Sequence, residues 1–169
     1  MGKSGAFMFF TKDQRFLLKT MTKEDFNAWM KMFKSYFQHV NCFKESLLAR
    51  VYGVYSIQMD DKEPVYLLMM GNTKPCESIY IKKMFDLKGS MVKRETFKNL
   101  GKNTNALKDL NLLYLTTNEI FIRMYPEDIN QILDIMAYDI SLVSQFNLMD
   151  YSLLFTVAYN PLYVEENKD

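Results

Sequence analysis

The densest concentration of side chains that could do chemistry is a basic segment at residues 82–98. Two acidic residues, Asp86 and Glu95, stand there against six basic ones, which are Lys82, Lys83, Lys88, Lys93, Arg94 and Lys98. An arginine can bind a phosphate through two parallel hydrogen bonds, and a lysine binds it as a point charge. The segment therefore predicts phosphate binding, and a solvated charged turn is the alternative.

A second candidate is the run Gly2-Lys3-Ser4-Gly5, which precedes the first expected strand. Gly2 and Gly5 would let backbone amides come close to a phosphate, while Lys3 and Ser4 add a charge and a hydrogen-bond donor. A flexible chain start is the alternative. The run predicts a phosphate loop only in combination with a second feature.

Lys19 supplies that feature, because it ends the apolar run at residues 16–18. Strand alternation would place it on the same side as Leu17, beside the glycine run. A nucleotide-binding kinase of the protein-kinase type uses a glycine loop, a strand lysine on the phosphates and an acidic partner from a helix. Glu24 is a candidate partner, or it only stabilises a helix start. A solvent-facing Lys19 is the alternative.

Asp150 is the candidate proton acceptor. It lies in Met149-Asp150-Tyr151-Ser152, between an expected helix and an apolar strand. A carboxylate held at such a junction could orient a hydroxyl for attack on a phosphoryl group and accept its proton, and a turn-forming aspartate is the alternative. The single histidine, His39, falls in an expected helix, so no Ser/His/Asp or Cys/His arrangement is indicated.

The elements that must position these residues follow from apolar periodicity. Strands are predicted at residues 6–10, 15–20, 51–57, 65–70, 79–86 and 152–159, and residues 98–118 are irregular with a helix in part of them. A helix follows a capping-box-like start at residues 22–25, with its apolar positions at Phe26, Trp29, Met30, Phe33, Tyr36, Phe37 and Val40. Another begins at about Pro126, with Ile129, Ile132, Leu133, Met136, Ile140 and Val143 along one face. This order predicts an α+β fold with a mainly antiparallel sheet and packed helices.

Composition narrows the class of protein. The 169 residues (20.0 kDa) predict one domain, and the 49% apolar content excludes a disordered chain. Cys42, Cys76 and His39 are too few for a structural zinc site or a disulfide framework, which favours a reduced, intracellular protein. Residues 1–108 carry 19 basic and 10 acidic residues, whereas residues 109–169 carry 2 and 10. This asymmetry predicts a basic face for phosphates or an anionic membrane, or else only differently charged solvated faces.

Four segments together resemble the phosphatidylinositol phosphate kinase family: GKSGAFMFF, RFLLKT, FDLKGSMVKRE and FNLMDYSLLFTV. They occur in the family's order, and the likeness runs from Gly2 to about Tyr159. Residues 47–55 and the pair Lys108-Asp109 resemble further family elements, with Asn111 in place of an aspartate in the second. The resemblance implies a protein-kinase-like lipid kinase architecture.

The resemblance also implies a role for each candidate residue. Gly2, Ser4 and Gly5 would cover the phosphates of ATP and Lys19 would hold them, while Met70 and Asn72 would belong to the hinge against the adenine. Asp150 would be the catalytic aspartate and Lys88 would touch transferred or nucleotide phosphate. Lys93 and Arg94 would bind the anionic inositide headgroup. The expected reaction is transfer of the ATP γ-phosphate to an inositol ring hydroxyl by a cytoplasmic protein peripheral to an anionic membrane, with no nucleic acid involved.

The chain also departs from the family pattern. It stops 15 residues after Leu154, before the family's Mg²⁺-binding aspartate and activation loop, and it begins on the glycine run itself. We therefore expect a single partial catalytic domain, truncated at both ends, with a polar tail from about residue 160, no metal ligand within it and little activity alone. The alternative is a catalytically inactive fragment or pseudokinase that binds phosphoinositide or a partner kinase. A protein kinase is a third possibility, which the absence of a His-Arg-Asp catalytic loop disfavours.

Overall fold

The computed structural model describes residues 6–73, 80–96, 106–118, 124–146, 148 and 151–159. The chain forms two compact units. Unit 1 comprises Met1–Thr73 with Pro126–Leu148, and unit 2 comprises Lys74–Tyr125 with Met149–Asp169. The polar tail predicted from about residue 160 lies outside the described residues.

Six strands and three helices follow one another along the described chain. Their order is β1 (Met8–Phe10), β2 (Phe16–Met21), α1 (Lys23–Cys42), β3 (Val51–Ile57), β4 (Val65–Gly71), β5 (Ile81–Leu87), α2 (Asp109–Asn118), α3 (Pro126–Gln145) and β6 (Leu153–Ala158). All six predicted strands and both long predicted helices are present, and α2 accounts for the helix expected within residues 98–118. The α+β prediction is confirmed.

Unit 1 contains a four-stranded sheet in the order β1-β2-β4-β3, in which every neighbouring pair is antiparallel. The first two strands form the expected hairpin, whose turn carries Gln14 with a φ of 54°. In the described residues the strands form two sheets rather than one, because β5 pairs with β6 in unit 2.

The first helix of unit 1 begins where the sequence predicts. Thr22 caps it, and the Thr22 hydroxyl accepts a hydrogen bond from the Asp25 backbone N–H at 3.1 Å. This bond satisfies one of the amides that a helix start leaves without a partner.

The core of unit 1 lies between α1 and α3. Met32, Tyr36 and Leu142 form its buried centre, and the half-buried residues packed on them are Trp29, Val40, Leu48, Val51, Phe146 and Leu148. The Tyr36 hydroxyl donates to the Ala49 carbonyl at 2.7 Å and accepts from the Val51 amide at 2.7 Å. These bonds join the middle of α1 to the start of β3.

The predicted buried faces of both long helices are partly wrong. Met30 and Phe37 of α1 are exposed, whereas Met32 and His39, which were outside the predicted stripe, are buried. In α3 the apolar positions of the first turns are also exposed, namely Ile129, Ile132 and Leu133, together with Ile140 further along. Periodicity locates an apolar stripe, but the arc of a helix that becomes buried depends on where its partner lies.

A buried hydrogen-bonded pair, His39 and Asp139, joins the two helices. His39 Nε2 donates to Asp139 Oδ1 at 2.6 Å, and both side chains are 6% exposed. The other carboxylate oxygen accepts the Leu47 backbone N–H at 2.7 Å, and the His39 ring stacks on Tyr138. Asp139 therefore fixes α1, α3 and the chain leaving α1 at a single point.

Unit 2 is organised around Phe85, which is fully buried and packs against Phe155 across the β5-β6 pair. Leu107 forms a parallel bridge with Phe85, and its backbone bonds Met84 and Asp86. Leu115 of α2 is also buried. The segment that enters α2 is thus hydrogen-bonded to β5, the strand that ends at Leu87. None of the helices described is both long enough and apolar enough to cross a bilayer.

We predict that Asp139→Ala destabilises the protein by about 3 kcal/mol, because it leaves the buried imidazole of His39 and the backbone amide of Leu47 without their acceptor. Urea denaturation measures this change. Asp134→Ala is the matched control, since Asp134 is an exposed acid of the same helix, and its effect should stay within about 0.5 kcal/mol. Equal effects of the two substitutions would show that the buried pair has no special structural role.

Candidate functional site

Lys19 lies in β2 directly opposite Leu68 of β4 and Met8 of β1. Directly opposed residues of antiparallel strands point to the same face of a sheet, and so do residues two apart on one strand. Tyr66, two positions before Leu68, packs on Phe26 of α1 with ring centroids 4.6 Å apart. Lys19 is therefore on the sheet face that carries α1.

The side chain of Lys19 is half-buried. No carboxylate in the described part of the chain lies within ion-pairing distance of its ammonium group. Glu24 is exposed in the first turn of α1 and makes no ion pair with Lys19. The acidic helix partner expected for Lys19 is therefore not seen among the described residues.

The predicted hinge residues follow at the end of β4. Met70 is opposite Leu17 of β2, two positions from Lys19 along the same face. Asn72 donates its backbone N–H to the Arg15 carbonyl at 2.9 Å and its side-chain amide to the Gln14 carbonyl at 2.8 Å. Asn72 therefore ties the exit of β4 to the β1-β2 turn. Three other nucleotide-binding candidates, Gly2, Ser4 and Gly5, lie outside the described residues, as does Asp150.

In unit 2 the basic segment is held by the carboxylate of Asp109, the first residue of α2. Its Oδ1 accepts the backbone N–H groups of Lys88 at 2.9 Å and Gly89 at 2.8 Å. Its Oδ2 accepts Arg94 Nε at 2.7 Å. One carboxylate therefore binds both ends of the loop at residues 88–94, which we call loop 88–94.

Arg94 makes a second set of contacts through Nη2 of its guanidinium group. Its Nη2 donates to the Asp86 carbonyl and lies 3.5 Å from Asp86 Oδ2. The arginine side chain is 12% exposed and that of Asp109 is 15% exposed. Arg94, predicted to bind substrate, thus uses two of its nitrogens to join Asp86 at the end of β5 to Asp109 at the start of α2.

Asp109 and Arg94 each shift the pKa of the other. Burial alone would raise the pKa of Asp109, but hydrogen bonds from Arg94 and from the Lys88 and Gly89 amides lower it to about 2. The hydrogen bond to Asp109 in turn raises the pKa of Arg94. Both groups are therefore charged at neutral pH and neutralise each other inside the loop.

The remaining contacts of the loop involve the residues around Asp109. The Leu110 amide donates to the Arg94 carbonyl at 3.0 Å, and Lys108 Nζ donates to the Lys93 carbonyl at 3.3 Å. Buried Asn111 accepts bonds from the Thr96 amide and hydroxyl, at 3.0 and 2.9 Å, and from the Lys108 amide at 3.1 Å.

Sequence reasoning assigned no role to Asp109 or Asn111. The only signal was their place in a short segment that resembles a family element, next to a helix start.

Lys88 and Lys93 are exposed on this loop. Gly89 has a φ of +67°, a left-handed conformation that glycine adopts without strain, and Lys93 has a φ of 57° in the same region. The loop therefore turns at two left-handed positions. The first, Gly89, directly follows Lys88, and the second is Lys93 itself. This geometry can present cations to a phosphate from a fixed backbone.

A cavity of about 860 Å³ lies elsewhere, between the end of α1 and the first half of α3. It is lined in part by Glu45, Glu127 and Asp134, and none of the predicted site residues contributes to it. Among the described residues, no group of three or more His, Cys, Asp or Glu side chains could hold a metal ion.

The chain matches the family model described as Phosphatidylinositol-4-phosphate 5-Kinase over residues 1–169, and it belongs to that family. The resemblance inferred from the four segments is thus confirmed.

Curated relatives agree with this assignment. The chain is 36% identical over 160 residues to phosphatidylinositol 4-phosphate 5-kinase 3 of Arabidopsis thaliana. The matched region is 94% of this chain and 22% of that protein. The chain is 30% identical over 167 residues to phosphatidylinositol 4-phosphate 5-kinase of Plasmodium falciparum, covering 95% of this chain and 10% of that protein. The chain therefore spans between a tenth and about a fifth of the length of these relatives.

We predict that Asp109 makes stability depend on pH. Its folded-state pKa of about 2 lies below the ordinary value of 3.8, so its contribution is fully present above about pH 4 and is lost as the pH falls towards 2. Asp109→Asn should destabilise the protein by about 1 to 2 kcal/mol at pH 7, because a charged hydrogen-bond acceptor becomes neutral. The difference from wild type should disappear near pH 2.

Urea midpoints between pH 2 and pH 7 measure both effects. Glu95→Gln is the control, because Glu95 is an exposed acid of the same segment. A wild-type curve that runs parallel to that of Asp109→Asn at every pH would contradict the ion pair.

Proposed function

We propose that the protein containing this chain transfers the γ-phosphate of ATP to an inositol ring hydroxyl of a phosphatidylinositol phosphate at a membrane surface. The observation that carries the proposal is the match of all 169 residues to the Phosphatidylinositol-4-phosphate 5-Kinase family. The chain then represents the central part of a phosphatidylinositol phosphate kinase catalytic domain.

Unit 1 contains the residues proposed to bind the nucleotide. A half-buried ammonium group without an ionic partner among the described residues fits a phosphate ligand, and Lys19 is such a group. Burial strengthens its attraction to an anion because solvent screens the interaction less. Gly2, Ser4 and Gly5 would cover the phosphates, and Met70 and Asn72 would contact the adenine.

Unit 2 contains the residues proposed to bind the lipid. Lys88 and Lys93 are exposed on a loop whose backbone is hydrogen-bonded at both ends. Lys88 would contact transferred or nucleotide phosphate, and Lys93 would contact the inositide headgroup. Arg94 Nε and Nη2 are engaged with Asp109 and Asp86, so a headgroup contact by Arg94 would use Nη1.

The proposed chemistry is an in-line phosphoryl transfer. The inositol hydroxyl oxygen bonds to the γ-phosphorus, the bond from that phosphorus to the bridging oxygen breaks, and ADP leaves. Asp150 would accept the hydroxyl proton. A divalent ion bound with the nucleotide supplies neutralisation of phosphate charge. The described residues provide no cluster for it, and we assign no ligand to it.

We predict that Lys19→Ala and Asp150→Asn each lower phosphate transfer by roughly 100-fold, because each removes a group that acts on the transferring phosphoryl or its acceptor. The measurement is transfer of label from radioactive ATP to vesicles containing phosphatidylinositol 4-phosphate, using the full-length protein. Lys12→Ala is the matched control, since Lys12 is an exposed lysine of the β1-β2 turn, and it should retain wild-type activity.

Two results would count against the proposal. Equal labelling by wild type and both variants would remove Lys19 and Asp150 from the site. Vesicle binding by the wild-type protein without any transfer would favour the inactive phosphoinositide-binding alternative.

A further inference from the structure

Two adjacent apolar side chains at the tip of loop 88–94 are almost fully exposed. Met91 is 72% exposed and Val92 is 77% exposed. Among the described large apolar residues only Tyr125 is as exposed as Val92. Exposed apolar surface is unfavourable in water, so two such neighbours at one tip are a candidate contact surface.

The loop that displays this pair is structured. The Asp109 carboxylate holds the Lys88 and Gly89 amides at one end and Arg94 at the other. Within the loop the Ser90 hydroxyl accepts the Val92 amide at 3.3 Å. The backbone is therefore held with Met91 and Val92 outwards, and little conformational entropy remains to be lost when a partner covers them.

The charge around the tip restricts the partner. Lys88 and Lys93 flank the apolar pair on both sides, and both are exposed. Of the acids near the loop, the partly buried Asp86 and Asp109 both contact the guanidinium group of Arg94. An apolar tip between cations complements a surface that is apolar inside and anionic outside, which describes an anionic lipid bilayer.

We propose that loop 88–94 is a membrane-insertion loop. Met91 and Val92 enter the interfacial layer of an anionic bilayer, while Lys88 and Lys93 contact lipid phosphates. The inference rests on the proposed function, because a lipid substrate is what brings this loop to a bilayer. Insertion of the two apolar side chains then holds the protein on the membrane in addition to the attraction between its lysines and anionic lipid.

The first test is co-sedimentation of the full-length protein with vesicles of phosphatidylcholine, phosphatidylserine and phosphatidylinositol 4-phosphate. Met91→Asp and Val92→Asp should each weaken vesicle binding by roughly tenfold or more. Each replaces an apolar side chain that enters the bilayer with a negative charge that anionic lipid repels. Met59→Asp is the matched control, since Met59 is also exposed, lies in the β3-β4 turn and is followed by Asp60 and Asp61. It should bind like wild type.

A second measurement does not depend on loss of binding. Val92→Trp should show a blue-shifted emission on addition of vesicles and quenching by lipids brominated in their acyl chains. The wild-type protein carries only Trp29 in this chain and is the reference for that signal. No shift and no quenching beyond this reference would overturn insertion.

Unchanged vesicle binding by both aspartate variants would overturn the inference. Unchanged binding is also expected if the tip of the loop docks on a protein instead of a bilayer. The proposed function is tested separately by phosphorylation of a short-chain, water-soluble phosphatidylinositol 4-phosphate by the wild-type protein. Absence of that activity, with vesicle binding lost in the two variants, would refute the kinase proposal and support the loop.

Discussion

The conformation of the basic segment depends on the hydrogen bonds that the Asp109 carboxylate accepts. The carboxylate accepts two backbone amides from one end of loop 88–94 and the guanidinium group of Arg94 from the other. A loop with several cations would otherwise be extended by mutual repulsion and would lose much entropy on binding phosphate. Arg94 contacts the carboxylates of both Asp109 and Asp86, so it joins the end of the loop to the start of α2 and to the end of β5.

Unit 1 also contains a carboxylate that joins distant segments, but there it joins two helices. Asp139 accepts His39 on one oxygen and the Leu47 amide on the other, and it fixes the two long helices at their contact. In both units a carboxylate with little exposure accepts a backbone amide and a cationic or hydrogen-bonding side chain. Such a group costs free energy to bury, and the cost is recovered only when each lone pair finds a donor. The result is a fixed position for the chain segments that meet there.

The sequence predicted the elements well, because strand alternation, the Thr22 cap and Pro126 are local signals. It failed on which arc of each helix is buried, since Met32 and His39 meet partners supplied by distant segments. His39 and Asp139 are 100 residues apart, and Lys88 and Asp109 are 21 apart, so no spacing rule links them. Motif resemblance located Lys88, Lys93 and Arg94, but it could not show that Arg94 closes the loop. The functional roles of all the candidate site residues stay predictions from sequence, and Gly2, Ser4, Gly5 and Asp150 also lie outside the described residues.

Amide hydrogen exchange at Lys88 and Gly89 reports on the contacts of Asp109, because these two amides donate to its carboxylate from an exposed loop. We expect slow exchange of both amides in the wild-type protein and exchange at least about tenfold faster in Asp109→Asn. The Leu47 amide, which donates to Asp139 in unit 1, should exchange at the same rate in both. Exchange of Lys88 and Gly89 at the rate of an unstructured peptide in the wild-type protein would contradict a loop held by Asp109.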